Sequence, residues 1–319
     1  MHTLFPAIKP FACHEVPVTQ PHVLYLEETG NPNGVPIIVL HSGPGAGGSA
    51  HLRRFFDPQH YRIIIFDQRG CGRSTPHTET THNTTAHLIE DINTIRETLK
   101  LDRFVLFGEG FGSTLALLYA QRYPQYVKAL LLHQVFLARQ QDIDWFFKRG
   151  ASLVYPDYWH EFTHMIPPEA IDNIPNFYTQ ILQGENELAR MAAAKNWALW
   201  QARCSSLQPH SNIIDEFTDP HFALAFAMLE SHYVTNHYFI EENEVIANTH
   251  KIRHIPCFII HGRYDMVCPL AGAWTLHHAL ISSDLRIIRD AGHSDCEPGV
   301  VDALIEASKE ILKHNLDAS

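Results

Sequence analysis

Basic residues are scarce in this sequence, and that shortage excludes one class of function. The 319 residues hold 24 lysines and arginines against 35 aspartates and glutamates, a formal net charge of −11. Non-specific binding of nucleic acid depends on basic side chains that meet phosphates, so nucleic acid is not expected as a partner. No apolar run approaches the ~20 residues that a membrane-spanning helix needs, so no membrane span is expected either.

Cysteine is also sparse, and the few present are not arranged for redox or disulfide chemistry. The six cysteines include no C-x-x-C pair, and they are too few to cross-link a chain of this length. The N-terminus has neither the basic region nor the apolar stretch of a secretory signal. These absences predict reduced thiols and a cytoplasmic location.

What the sequence does contain is an alternation of short apolar runs with longer helical patterns. Several runs are apolar almost throughout, which is typical of strands buried on both faces. The alternation predicts an α/β fold with a mostly parallel central sheet and helices on both faces. The predicted strands are His22–Glu27, Ile37–His41, Tyr61–Asp67, Phe104–Gly108, Ala129–His133, Pro256–Gly262 and Leu285–Ile288. The predicted helices outside the middle of the chain are Thr85–Leu99, Phe111–Tyr123 and Val300–Lys313.

The middle of the chain differs from the rest. Residues 139–245 hold four of the five tryptophans and almost no strand signal. We therefore predict a helical cap at 139–245, inserted into a core formed by residues 1–138 and 246–319.

A glycine-rich loop, His41 to Gly48, follows the second predicted strand. Such a turn exposes backbone N–H groups, which suits either a phosphate or an oxyanion. The sequence lacks both the G-x-x-x-x-G-K-[ST] motif and a G-x-G-x-x-G motif that opens a helix, so no nucleotide cofactor is expected. An oxyanion hole of the type found in α/β-hydrolases is the alternative.

The fourth predicted strand leads into Gly108-Glu109-Gly110-Phe111-Gly112 and then a helix. This strand, tight turn and helix match the G-x-S-x-G elbow that presents a nucleophilic serine, except that Gly110 occupies the serine position. Further along the chain, Asp265 and His293 each follow a strand. Nucleophile, acid and histidine in this order are typical of α/β-hydrolases, with the aspartate orienting the histidine and the histidine moving the proton.

The chain resembles the proline iminopeptidases, serine aminopeptidases of the α/β-hydrolase superfamily that release N-terminal proline. The segments that carry the resemblance are 41–45, 67–74, 83–85, 112–117, 142–146, 262–265, 267–270 and 291–294. The resemblance covers nearly the whole chain and implies a peptide or small amide with N-terminal proline as substrate, without a cofactor. It implies that the N–H groups of Gly43 and Phe111 form the oxyanion hole. It also implies that positions 201 and 230 in the cap bind the substrate's free amine, where this chain has Gln201 and Glu230.

Five positions depart from the pattern of that family. Gly110 replaces the nucleophilic serine, and Glu109 replaces a small residue beside it. Ser42 replaces a glycine of the oxyanion loop, and Gln201 replaces a glutamate. His133 stands where the family usually has arginine, and the resemblance predicts it as a third substrate-binding residue beside Gln201 and Glu230. A single change at the serine would suggest a deliberately inactivated variant, whereas five changes around one site favour natural divergence.

Other residues could act as the nucleophile or bind a metal ion. Ser113, Ser294 and Cys296 are alternative nucleophiles, although none sits at the tip of the predicted elbow. The run His160-Glu161-Phe162-Thr163-His164 matches the H-E-x-x-H zinc-peptidase motif. Because Pro167 ends that helix within a turn and no third ligand follows, we expect a solvated cap helix and no metal there.

These observations predict a proline iminopeptidase-like chain that is inactive or strongly impaired as it stands. Two alternatives remain open at this point. One is a natural pseudo-hydrolase that binds a peptide or a small ligand. The other is a hydrolase of shifted specificity, either an esterase or a broader aminopeptidase.

Overall fold

The computed structural model describes residues 2–208 and 210–316, which fold around an eight-stranded sheet. The strands are β1 (Ala12–Pro17), β2 (Val23–Gly30), β3 (Val35–Leu40), β4 (Tyr61–Phe66), β5 (Phe104–Glu109), β6 (Val127–His133), β7 (Cys257–Gly262) and β8 (Ser283–Ile288). Their order across the sheet is β1-β2-β4-β3-β5-β6-β7-β8. β1 and β2 pair antiparallel with their neighbours, and all other pairings are parallel.

The sheet is covered on both faces because successive side chains of a strand point to opposite sides. In β3, Ile38 and Leu40 pack into a large core cluster that includes residues of helix α2 (Phe111–Arg122). Ile37 and Val39 pack into a second cluster with helix α12 (Pro298–Leu316). This two-sided burial explains why the central strands are apolar throughout rather than alternating.

Every regular element described between β6 and β7 is helical. After α1 (Thr85–Thr98) and α2, the chain forms α3 (Gln140–Phe147), α4 (Ala151–Val154), α5 (Pro156–Thr163), α6 (Ile174–Leu182), α7 (Glu187–Cys204), α8 (Ser211–Phe217), α9 (Pro220–Thr235) and α10 (Glu244–Ala247). The last two helices are α11 (Leu270–Ala279) and α12. The division of the chain at residues 139 and 245 stays a prediction. None of the helices described has the combination of length and apolar character that would cross a membrane.

The predicted α/β fold is confirmed, with differences at the edges of the sheet. β1 was not predicted, because its exposed and half-buried residues alternate around the single buried Val16. β8 begins at Ser283 rather than at Leu285, and its side chains are only partly buried. An edge strand lacks the continuous apolar signal that marks a central one.

The sheet order also places the candidate site. The chain changes direction between β3 and β5, which are neighbours at the centre of the sheet. In open parallel sheets, ligands bind beyond the carboxyl ends of the strands at such a switch point. The loops that follow β3 and β5 meet there.

Candidate active site

The turn between β5 and α2 has the strained geometry of a nucleophile elbow. Gly110 has φ +52° and ψ −122°, a conformation that residues with a side chain rarely adopt. A Cβ on Gly108 would collide with the carbonyl of Gly112, and a Cβ on Gly112 would collide with the carbonyl of Leu40. Strand and helix therefore approach closely around position 110, as the motif predicts, but Gly110 offers no hydroxyl or thiol.

The neighbouring hydroxyl of Ser113 is already engaged. It donates a hydrogen bond to the Gly110 carbonyl (2.6 Å) and accepts one from the Phe136 N–H (3.1 Å). The side chain is fully buried. Cys296 is no better suited as a nucleophile, since partial desolvation of its sulfur and the charge of Asp295 raise the pKa of the thiol to about 12, although the residue as a whole is exposed.

The predicted acid and base are paired at the carboxyl end of the sheet. The His293 Nδ1–H lies 2.9 and 3.0 Å from the two carboxylate oxygens of Asp265. Asp265 also accepts hydrogen bonds from the N–H groups of Val267 and Cys268. Burial acts to raise the pKa of Asp265, but the attraction of His293 and these hydrogen bonds hold it below its usual range. Asp265 is therefore ionised, and it orients the imidazole as the triad scheme requires.

The loop after β3 forms another wall of the site, and the segment after β4 holds this loop in place. His41 donates from Nδ1 to the Ser42 carbonyl (2.7 Å) and accepts at Nε2 from the Gln68 N–H (3.0 Å). The Asp67 carboxylate accepts from the Gly48 N–H (2.6 Å). The segment that follows β4 thus braces the loop. Gly43 and Phe111 line one cavity with position 110, and Phe111, as the first residue of α2, has an N–H without an intrahelical partner.

That cavity extends into the helical segment and encloses about 480 Å³, part of it open to solvent. The Glu230 carboxyl, on α9, accepts a hydrogen bond from the Trp197 indole N–H (2.5 Å). Burial raises the pKa of Glu230 to about 8. Gln201, on α7, also lines the cavity, and its buried Oε1 has no hydrogen-bond partner. The apolar wall is mainly aromatic and comprises Phe136, Ile143, Phe146, Phe147, Phe226 and Val267.

Known proteins with this architecture settle the family. The alpha/beta hydrolase fold family matches residues 35–300. A proline iminopeptidase of Xylella fastidiosa is 44% identical over 313 residues, which cover 98% of this chain and 100% of that protein. The proline iminopeptidase of Arabidopsis thaliana is 42% identical over 97% of this chain and 82% of its own length.

The chain belongs to the proline iminopeptidase family. A solved structure of a proline iminopeptidase-related protein from Thermus thermophilus aligns over 98% of this chain and 100% of its own, with a TM-score of 0.62 and 22% identity. That likeness shows a shared fold. The resemblance in the sequence is therefore confirmed.

Within this proline iminopeptidase fold, the structure does not bring every predicted site residue together. Gly110, Gly43, Phe111, Glu230, Gln201 and His293 line one cavity, and Asp265 contacts His293 from behind. His133 lies outside the lining. Its side chain is fully buried at the end of β6, where Nδ1 donates to the Ile260 carbonyl (3.0 Å). Burial lowers the pKa of His133 to about 4, so it is neutral.

Two residues at the site, one beside position 110 and one in the cavity lining, were missed in the sequence. Gln134 directly follows β6, donates from Nε2 to the His293 carbonyl (2.6 Å), and has a buried Oε1 without a partner. Asp142, on α3, lines the cavity and is paired with Arg139 (2.8 Å). A polar residue at a strand's carboxyl end is a usable signal for Gln134. Asp142 lies in a segment that the sequence comparison used only as evidence of resemblance.

The three polar positions of the H-E-x-x-H motif lie on the exposed side of the chain at the C-terminal end of α5, whereas Phe162 between them is buried. His160, Glu161 and His164 are exposed, and Glu161 forms an ion pair with Arg203. This arrangement agrees with the predicted solvated helix.

Proposed function

We propose that this chain recognises the N-terminal proline of peptides in the manner of a prolyl aminopeptidase, with its peptide-bond hydrolysis strongly impaired. One observation carries the proposal: the buried Glu230 carboxyl, the His293–Asp265 pair and the elbow at position 110 meet at one aromatic-lined cavity. A buried carboxyl among aromatic rings suits a cationic imino group on an apolar five-membered ring.

The reaction follows from these positions when a serine occupies position 110. The substrate's imino group pairs with Glu230, and its carbonyl lies against the N–H groups of Gly43 and Phe111. The serine oxygen attacks the carbonyl carbon while His293 takes its proton and then passes it to the leaving amine. Water, deprotonated by His293, later releases proline and regenerates the hydroxyl.

Gly110 removes the attacking atom from this sequence of steps. Water is then the only nucleophile, with His293 as the base. Enzymes of this type that lose a triad member keep about 10³–10⁴-fold acceleration over water. This remaining acceleration is small compared with the rate enhancement of an intact peptidase.

A second candidate function, ligand binding without turnover, is favoured by Ser42. A Cβ at position 110 would lie 3.1 Å from the Ser42 Cβ, which is closer than carbon atoms normally approach. Ser42 therefore fills the space beside the elbow, as expected if the site diverged as a whole toward binding.

The test compares hydrolysis of proline arylamide by the chain as it stands and by Gly110→Ser, with phenylalanine and acetyl-proline arylamides as matched controls. Turnover by the serine variant of the proline substrate alone supports the proposal. Turnover of all three arylamides would favour a broader hydrolase. No turnover by either protein, together with measurable binding of proline amide, would favour the binding function.

The cellular location is a separate proposal. A cytoplasmic location is supported by the six cysteines, all of which are unpaired in the structure. Oxidation of the purified protein under mild conditions and a count of free thiols before and after would test whether the thiols tolerate an oxidising compartment.

A further inference from the structure

A second cavity, which encloses about 880 Å³ including space open to solvent, adjoins the first at His293. The two cavities share Ser42, Gln201, Phe226 and His293 in their linings. The loop that follows His293 forms one wall of the second cavity, and the residues before Leu52 form another. Apart from these shared residues, the polar groups that line the second cavity have no part in the proposed function.

Three of those groups are metal-ligating side chains that face one another: His51, Asp295 and Cys296. The His51 Nε2 lies 3.5 Å from an Asp295 oxygen and 3.8 Å from the Cys296 Sγ. The Cys296 Sγ lies 3.4 Å from the other Asp295 oxygen. Tetrahedral zinc, with bonds of about 2.0–2.3 Å, holds nitrogen, oxygen and sulfur ligands about 3.3–3.6 Å apart. One ligand atom from each of the three residues lies within 4.8 Å of the other two, so a small adjustment of the side chains would bring them to that spacing.

Glu109 supplies an independent observation that points to a ligand. It lines the same cavity, is 5% exposed, and its Oε1 has no hydrogen-bond partner. A buried carboxyl without a partner is costly to keep. A cation bound in this cavity would provide the missing partner. Among the described residues that line the cavity there is no lysine or arginine to do so, and Glu216 adds a further carboxyl.

We propose that His51 Nε2, the Asp295 carboxylate and the Cys296 sulfur bind a divalent transition-metal ion of the zinc type, with Glu109 beside the open coordination position. Nitrogen and sulfur donors favour such an ion over magnesium or calcium, which prefer oxygen ligands. The ion displaces the proton of the thiol, as at other cysteine ligands. Because Cys296 is exposed and the other two ligands are half-buried, the ion can reach the site from solvent.

The test is a titration of the full chain with Co²⁺, in which the absorbance of the thiolate-to-cobalt charge-transfer band is measured after each addition. Zn²⁺ is then added to displace the Co²⁺. Any histidine tag is removed first, because its imidazoles would bind metal in addition to the 23 histidines of the chain itself. We expect one ion per chain. Cys296→Ser should abolish the band, and Asp295→Asn should weaken binding at least tenfold, on the order of the loss that even residues behind the ligands cause.

The matched control is Cys13→Ser, which changes the other exposed cysteine and should leave the band and the affinity unchanged. Thermal unfolding of each variant checks that the fold is retained. Glu109→Gln should weaken binding by about 10–100-fold without removing the band. Binding that survives Cys296→Ser at full strength, or that is lost equally in Cys13→Ser, would overturn the proposal and assign the metal to adventitious histidines.

Discussion

Restoring a serine at position 110 should succeed only in part unless Ser42 is also changed. The backbone at Gly110, with φ +52°, costs any residue with a side chain about 1–3 kcal/mol. In addition, the new Cβ would lie 3.1 Å from the Ser42 Cβ. Carbon atoms prefer about 3.5–4.0 Å, so one wall must shift by roughly half an ångström. Overpacking of this kind typically costs about 1–3 kcal/mol.

The consequence for catalysis follows from the same shift. A nucleophile displaced by about 1 Å loses about 10²-fold in rate, so a shift of half that size should cost about tenfold. Gly110→Ser should therefore hydrolyse proline arylamide, and Ser42→Gly/Gly110→Ser should be about tenfold faster in kcat/KM. In urea unfolding, the free energy of unfolding of the double variant should be about 1–3 kcal/mol higher than that of Gly110→Ser.

The assay uses four proteins, the parent, both single variants and the double variant, in one thermodynamic cycle. Ser42→Gly alone is the control and should gain no activity, because it supplies no nucleophile. The reasoning is refuted if Gly110→Ser is as active and as stable as the double variant. That result would show that the elbow accommodates a side chain without crowding from Ser42.

Three further outcomes follow from the contacts of the site and its supports. Because burial raises the pKa of Glu230 to about 8, its carboxyl gains charge as pH rises. Affinity for proline amide in calorimetric titrations should therefore increase from about pH 6 to about pH 7, where an α-amino group of pKa about 7.7–8.0 is still largely cationic. Glu230→Gln should lose this increase, and a variant that kept it would contradict the assignment. Ser113→Ala should lower the free energy of unfolding by about 1–3 kcal/mol, because it removes the hydroxyl that accepts the hydrogen bond of the Phe136 N–H, while the Gly110 carbonyl keeps the Ser113 backbone N–H as a donor. It should not abolish proline arylamide turnover in the Gly110→Ser background, and complete loss there would instead identify Ser113 as the nucleophile. Arg69→Met should cost about 3–5 kcal/mol in urea unfolding, because it isolates the buried Asp91 carboxylate that accepts two hydrogen bonds of 2.6 Å from Arg69. A loss below about 1 kcal/mol would show that the Asp67 to Ser74 segment does not depend on this pair.

The elbow and the order of Asp265 and His293 could be predicted from local signals in the sequence, whereas Glu230 and Gln201 were predicted only from the resemblance to the family. A buried strand that ends in closely spaced glycines leaves few conformations for the turn, and a polar residue at the carboxyl end of a parallel strand must lie at the ligand edge. The central strands themselves follow from their continuous apolar character, although β3 begins at Val35 rather than Ile37 and β6 at Val127 rather than Ala129.

The rest could not be predicted because it depends on how distant segments meet. His133 does end a central strand, but its imidazole is buried against the Ile260 carbonyl of the next strand instead of lining the cavity. The crowding of position 110 by Ser42 joins loops that follow β3 and β5. The cluster of His51 with Cys296 joins residues that are 245 positions apart, so no local motif predicts it. The H-E-x-x-H run, by contrast, has the spacing of a metal motif but lies exposed on α5.

The most direct test of recognition measures binding to the chain as it stands, without any variant at position 110. A short peptide that begins with proline is titrated calorimetrically, and the same peptide with an acetylated N-terminus is the control. If Glu230 binds a free imino group, the first peptide should bind, the acetylated one should not, and Glu230→Gln should lose affinity for the first peptide alone. Equal binding of both peptides, or of neither, would contradict the central claim that this cavity recognises the N-terminal proline of peptides.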